Sequence, residues 1–279
     1  MRAISIQSVH PDPVTTMSAT ALAERVAREH EAHTERDVLA ESIRLKSKFP
    51  HLATYPSKKR LYATIDRYTA DLRGKTILDY GCGRGEMSLK YLANGADKVS
   101  AIDISEVYVE DLRQQASDAG YAAERCDFRA MDAHKLDFPD ASFDFVIGYG
   151  ILHHLDPAVA FSEIHRVLKP DGRVLLQEPL ADNPLLKIFR KATPNARTED
   201  EAPFTRRQIR DLEQQCGWRS ESVYCGVLEM PMSLVTSKLM PSSPNNFLLR
   251  WADKVESWLH RRRWLLGWNQ YIVFNLVKA

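Results

Sequence analysis

The stretch Lys75–Glu86, KTILDYGCGRGE, decides the fold. Thr76, Ile77 and Leu78 make a short apolar run, which suits a buried parallel strand. Gly81, Gly83 and Gly85 follow at alternate positions, and Met87–Leu92 then reads as the start of a helix. Strand, glycine turn and helix in that order form a ligand cradle. Glycines let backbone approach a ligand closely, and the N–H groups at the start of the helix face an anion. The spacing here is G-x-G-x-G, with Asp79 two residues before the first glycine. A dinucleotide site has G-x-G-x-x-G and sets a pyrophosphate on its helix.

Around this cradle the chain alternates. Val99–Asp103 reads as a second strand, and Ser105 caps a helix whose Val109, Leu112 and Ala116 share a face. Cys126–Met131 and Phe143–Ile147 are the third and fourth strands. Asp156-Pro157 opens a helix lined by Phe161, Ile164 and Leu168, and Val174–Leu176 is the fifth strand. Repeated strand–helix units predict an α/β fold, a parallel sheet covered by helices on both faces. Thr205 and Gln208 form a capping box with Phe204 and Ile209 as its staple. Ser220–Val227 and Gln270–Val277 complete the strands.

The flanks divide the chain into three segments: 1–73, a tail and a helical lid; 74–180, the ligand-binding core; and 181–279, a substrate-side loop, the last strands and a Trp-rich insertion at 230–268. In the first segment Ser18, Leu22, Val38, Leu39 and Ile43 suggest a helix, and Glu31 and His33 lie close to His30. That trio reads as a solvated helix face or as a polar contribution from a lid. In the insertion, Leu248, Trp251, Val255, Trp258 and Leu259 make an apolar stripe beside Arg261–Arg263. Two readings stand. One is a helix packed on the sheet edge or on a second copy as a homodimer, which stripes at helical spacing favour. The other is a basic amphipathic helix at 246–268 that touches a membrane or a lipid-linked substrate.

Composition sets bounds on partners. Over 279 residues, 44% hydrophobic and 27% charged content is that of an ordinary globular chain. A net charge of +1 leaves no bulk footprint for nucleic acid. No apolar run reaches the length of a membrane span, and MRAISIQSVHPDP lacks the apolar core of a leader, so a cytoplasmic location is expected. Cys82, Cys126, Cys216 and Cys225 have no zinc or disulfide spacing, so no metal is expected, and Cys82 reads as a small residue filling the turn.

The glycine turn, together with four further stretches, resembles class I S-adenosylmethionine-dependent methyltransferases. These are Asp103 after the second strand, Met131-Asp132-Ala133 running on to Asp137–Asp144 (DFPDASFD), Gly148–Leu155 (GYGILHHL), and Arg166–Gly172 (RVLKPDG). The likeness covers Lys75 to about Leu180, with Asp171 departing from the family's L-K-P-G-G turn. It implies a Rossmann-like, doubly wound, seven-stranded sheet, mostly parallel with an antiparallel last strand, N-terminal helices and a helical insertion before that strand.

It also implies S-adenosylmethionine as methyl donor and S-adenosylhomocysteine as product, while the additions on both flanks suggest a cover over a small molecule or a glycan rather than an open groove for nucleic acid. Asp79, Tyr80, Gly81, Cys82, Gly83, Gly85, Gly148 and Tyr149 would then bind the cofactor, with Tyr80 and Gly148 at its methionine part and the turn amides taking the carboxylate. Asp103 would bind the ribose diol, Ile104 would pack on the adenine, and Asp132 would accept from its amino group between Met131 and Ala133. His153 or His154 would be a general base, and Glu178 at the end of the fifth strand would bind substrate, take a proton or brace a loop. The expected activity is O-methylation in secondary or envelope metabolism. N- or C-methylation, a cofactor-binding regulator without catalysis, and an NAD-dependent oxidoreductase are the alternatives.

Overall fold

The computed structural model describes residues 47–192, 201–215 and 218–278, together with 20, 24–28, 30 and 44. Ser18, Leu22, Glu31, His33, Val38, Leu39, Ile43 and Cys216 lie outside the described residues.

Helix α1 (Pro56–Thr69) leads into β1 (Thr76–Tyr80), α2 (Glu86–Ala93), β2 (Lys98–Asp103), α3 (Glu106–Asp118) and β3 (Cys126–Ala130). β4 (Phe143–Tyr149), α4 (Pro157–Val167) and β5 (Leu168–Pro179) follow. After them come α5 (Pro184–Ala192), α6 (Arg206–Gln215), β6 (Arg219–Ser220), β7 (Val223–Cys225), α7 (Glu229–Leu239), α8 (Phe247–Leu259) and β8 (Tyr271–Val277). The strands form one sheet in the order β3-β2-β1-β4-β5-β8-β6, with β7 also on β8. β1 to β5 run parallel, and β8 is antiparallel to β5, β6 and β7. The sheet therefore has eight strands where seven were expected. The span 220–227 supplies two short strands, divided at Glu221 and Ser222.

Strand alternation sends side chains to two separate cores. Leu78, Val146, Val174 and Phe274 pack with Phe161, Ile164 and Leu212 on one face. Ile77, Val99, Ile147 and Leu175 pack with Leu61, Tyr91 and Leu112 on the other. The caps form as the sequence suggests: Asp156 Oδ1 accepts from the Ala158 amide at 3.0 Å and Ser105 Oγ from that of Tyr108 at 3.4 Å. The Thr205–Gln208 box closes in both directions, at 2.9 and 3.3 Å. Strand order reverses between β1 and β4, and in open parallel sheets that reversal opens a crevice at the carboxyl ends of the strands.

Candidate active site

The crevice is built first from the turn after β1. Gly81, Gly83 and Gly85 all have positive φ. A Cβ on Gly85 would lie 2.3 Å from Leu112 Cδ1, so packing alone requires glycine there. A Cβ on Gly83 would meet nothing within 4 Å, so its space is open. The turn holds itself together: the Gly81 and Cys82 amides donate to the Ile102 carbonyl at 3.0 and 2.9 Å, and Gly85 donates to Cys82 at 3.0 Å. Gly83 N–H donates to Asp103 Oδ2 at 2.8 Å. These four amides are spent on the scaffold, which corrects the expectation that they take a carboxylate. The first turn of α2 remains the anion-facing group.

Asp79 is buried, and Ser88 Oγ donates to it at 2.5 Å. Burial, with a smaller push from Asp103, raises its carboxyl from the usual range up to about 7 despite that hydrogen bond. Burial also drives the Cys82 thiol far up, with Asp79 and Asp103 adding to the push, so it carries no thiolate chemistry. Asp103 Oδ1 accepts from the Ser105 amide at 3.0 Å. Each Asp103 oxygen thus carries one backbone hydrogen bond and keeps a second lone pair.

Tyr80 faces away from open space, whereas Tyr149 is half-buried. Tyr80 is fully buried and donates its hydroxyl to the Ala133 carbonyl at 2.6 Å, tying β1 to the loop after β3. Tyr149 packs against the opposite core. Gly148 has no room for a side chain against the end of β1, since a Cβ there would lie 2.5 Å from the Tyr80 carbonyl oxygen. Ile104, Met131 and Asp132 are partly exposed beside Asp103, while Ala133 is buried.

His134 was not singled out in the sequence, yet it organises this loop. The Asp156 amide donates to His134 Nε2 at 2.9 Å, so Nδ1 carries the proton and donates to Asp132 Oδ1 at 2.7 Å. Burial pushes the Asp132 carboxyl up, but the His134 ring and amide outweigh it and leave it below the usual carboxylate range. The Asp-x-His spacing was the one available signal.

The second wall is the short 3₁₀ turn Leu152–His154 after β4. Glu178 lies beneath it with no exposed surface. It accepts from the amides of Ile151 at 3.1 Å, Leu152 at 2.9 Å and His153 at 3.3 Å. His153 Nδ1 lies 2.7 Å from Glu178 Oε2, and since a carboxylate oxygen only accepts, Nδ1 is the donor. In the neutral ring the lone pair is therefore on Nε2, which lies 3.9 Å from Glu201 Oε1. His154 is half-buried, its ring centroid 4.1 Å from that of His153. The ligand atoms of His153, His154 and Glu201 all lie within 4.8 Å of one another. This cluster could hold a cation although no metal spacing is legible in the chain.

Two segments from the flanks close over this turn. Arg25 Nη2 and the Ala202 amide both donate to the His153 carbonyl, at 3.1 and 2.8 Å. Phe204 N–H donates to Pro179 O at 3.0 Å, which runs this connection along the end of β5.

Residues 78–176 match the family model described as a methyltransferase domain. A 27-O-demethylrifamycin SV methyltransferase of Amycolatopsis mediterranei is 39% identical over 107 residues, covering 37% of this chain and 38% of the relative. A demethylmenaquinone methyltransferase of Lactococcus lactis is 36% identical over 125 residues, covering 44% and 48%. The chain thus spans less than half the length of these curated relatives. A crystal structure of a putative sarcosine dimethylglycine methyltransferase from Galdieria sulphuraria shares the fold. It has a TM-score of 0.56 and 18% identity, covering 79% of this chain and 84% of that one.

Proposed function

We propose that this chain, whose residues 78–176 match a methyltransferase-domain model, is a class I S-adenosylmethionine-dependent methyltransferase that methylates a hydroxyl on a small-molecule acceptor. The observation that carries the reading is the His153–Glu178 pair. A fully buried carboxylate holds Nδ1–H at 2.7 Å, so that in the neutral ring Nε2 is the acceptor. The O-methylating rifamycin relative supports the same class of acceptor.

The crevice fits the donor. Open space beside Gly83 admits close approach, Asp103 keeps lone pairs for a diol, and Asp132 is held ionised for an amino group. S-adenosylmethionine would supply a methyl already activated by positive sulfur. The chain's work is then to hold the acceptor oxygen about 3 Å from that methyl and in line with it. His153 Nε2 takes the hydroxyl proton as the oxygen gains its new bond, and Glu178 stabilises the resulting imidazolium through Nδ1–H. Glu178 is thus a positioning residue, out of the acceptor's reach.

The test is turnover of a panel of alcohols, phenols and amines by the full chain with labelled S-adenosylmethionine. O-methylation that collapses in His153→Ala on alcohols and survives better on acidic phenols supports a proton-accepting imidazole. Methylation confined to amines or carbon, or full turnover by His153→Ala, overturns it. A second reading rests on the His153, His154 and Glu201 cluster, in which a divalent cation would acidify the same hydroxyl. Loss of turnover in EDTA, with restoration by added cation, selects that reading.

A further inference from the structure

The face of the molecule carrying α7 and α8 has no counterpart in the methyl-transfer reading. Helix α8 is held from beneath. Leu249, Ala252 and Glu256 are buried, and Glu256 accepts from the amides of Gly226 at 2.7 Å, Leu228 at 3.0 Å and Glu229 at 3.2 Å. Those bonds fix which side of α8 faces out. On that side Phe247, Trp251 and Trp258 are 63%, 55% and 53% exposed. At 3.6 residues per turn the three fall within an arc of about 40°. Trp268, in the 3₁₀ turn Arg263–Trp268, is a further 42% exposed.

Charge on this face is one-sided. From residue 235 to 262 no exposed residue is acidic, whereas Lys238, Arg250, Lys254, Arg261 and Arg262 are exposed. The two acids of α8 are taken: Asp253 pairs with Arg60, and Glu256 is buried. A chain with net charge +1 therefore concentrates five cations here. Arg262 lies over the Trp258 ring at 5.3 Å, and Arg250 donates to the Asn245 carbonyl beside Phe247, so cations flank the aromatic arc. Exposed Leu239 and Val235 on α7 add apolar surface.

We infer that this face docks on an anionic lipid surface. Tryptophan and phenylalanine rings in an arc flanked by arginine and lysine suit an interface where rings sit at headgroup depth and cations meet phosphates. The position favours the same occupant. The insertion leaves the sheet after Cys225 and returns at Tyr271, which pairs with Cys225 and with Pro179, the residue after Glu178. Docking there brings the crevice mouth to the membrane, where an amphiphilic acceptor would be presented. The inference stands on the surface alone and does not depend on the reaction at His153.

The test is flotation of the full chain with phosphatidylglycerol–phosphatidylcholine vesicles and with pure phosphatidylcholine, at low and high salt, alongside tryptophan emission. Expected are binding to the anionic vesicles at low salt with a blue-shifted emission, and release at high salt. Arg250→Glu with Lys254→Glu should weaken binding by about 25-fold or more, about fivefold for each cation removed. Trp251→Ala with Trp258→Ala should weaken it about tenfold. Unchanged melting temperatures and circular dichroism show that these variants fold. Absence of wild-type binding at low salt, or binding unmoved by the charge reversals, overturns the inference. A concentration-dependent dimer broken by Trp251→Ala, with no vesicle binding, assigns the face to a second copy instead. Equal retention on a polyanionic nucleic acid with no vesicle binding also overturns it.

Discussion

The two halves of the sheet solve the same problem by different means. In the β1–β4 half, the chain is bent by local devices: glycines with positive φ, Ser105 and Asp156 caps, and a turn whose amides bond within a few residues or to the next strand. In the β5–β8 half, two fully buried glutamates do the bending from a distance. Glu178 gathers three amides of 151–153, and Glu256 gathers three amides of 226–229. A carboxylate that collects several N–H groups can sit buried without a cation. The first half stiffens its turn by glycines, caps and bonds to the adjoining strand, and the second gathers each of its turns on a single buried carboxylate.

The sharpest break in this comparison would come at His153, where the two halves meet. His153→Ala should lower kcat on alcohol acceptors about 10² to 10⁴-fold, with affinity for S-adenosylhomocysteine unchanged in calorimetry. Glu178→Gln keeps the shape but loses an acceptor and the negative charge. Its kcat should fall while KM holds, and the loss should be smaller on acidic phenols. If the loss is equal on all acceptors, Glu178 only braces the turn.

The buried glutamate of the insertion offers a control with no chemistry. Glu256→Ala would leave three amides without a partner, and losing such groups costs about 1–3 kcal/mol each before relaxation. We expect a total near 4 kcal/mol in denaturant unfolding, with cofactor affinity retained in whatever folds. Loss of cofactor binding in folded Glu256→Ala would mean that the two halves are coupled.

How much of this was legible follows the same division. The succession of strands and helices along the chain, the caps and the Thr205–Gln208 box are visible because each signal spans a few residues. The roles of Glu178, Glu256 and His134 are not, because their partners are 22 to 30 residues away. The α8 stripe left two readings open for a related reason. Trp251 and Trp258 share helical spacing with Leu248, Val255 and Leu259, and spacing alone cannot say which edge of a wide apolar arc faces the sheet. The buried edge is set by Leu249, Ala252 and Glu256, and only the Glu256 contacts to the start of α7 reveal it.

Within the cradle half, Asp79 separates folding from binding. Its carboxyl is raised to about 7 by burial. Between about pH 4 and 7 the folded state therefore holds a proton that the unfolded chain has released, and stability falls as pH rises across that window. Asp79→Asn should remove the Asp79 share of the slope and stabilise the free protein at pH 8 by up to about 4 kcal/mol. Part of the slope will persist, because Glu229 is likewise raised to about 7 by burial and by Glu256. A ligand ammonium beside Asp79 would reverse the preference, so S-adenosylhomocysteine, through its amino group, should bind Asp79→Asn more weakly above pH 7. Thermal melts across pH, with and without that ligand, give both quantities.

The smallest stability effect should come with a disproportionate binding effect, at Gly83. Packing does not explain a glycine there, since a Cβ would touch nothing within 4 Å, whereas at Gly85 it would strike Leu112 at 2.3 Å. Conformation explains part of it, because Gly83 has a φ of 52° and a side chain in that left-handed region costs about 1–2 kcal/mol. Gly83→Ala should therefore unfold only slightly more easily than the parent. If a nucleoside lies against this open backbone, the added methyl should still raise the S-adenosylhomocysteine Kd tenfold or more. A Kd that moves no more than stability does would mean that the turn is built for its own curvature, and that the ligand sits elsewhere in the crevice.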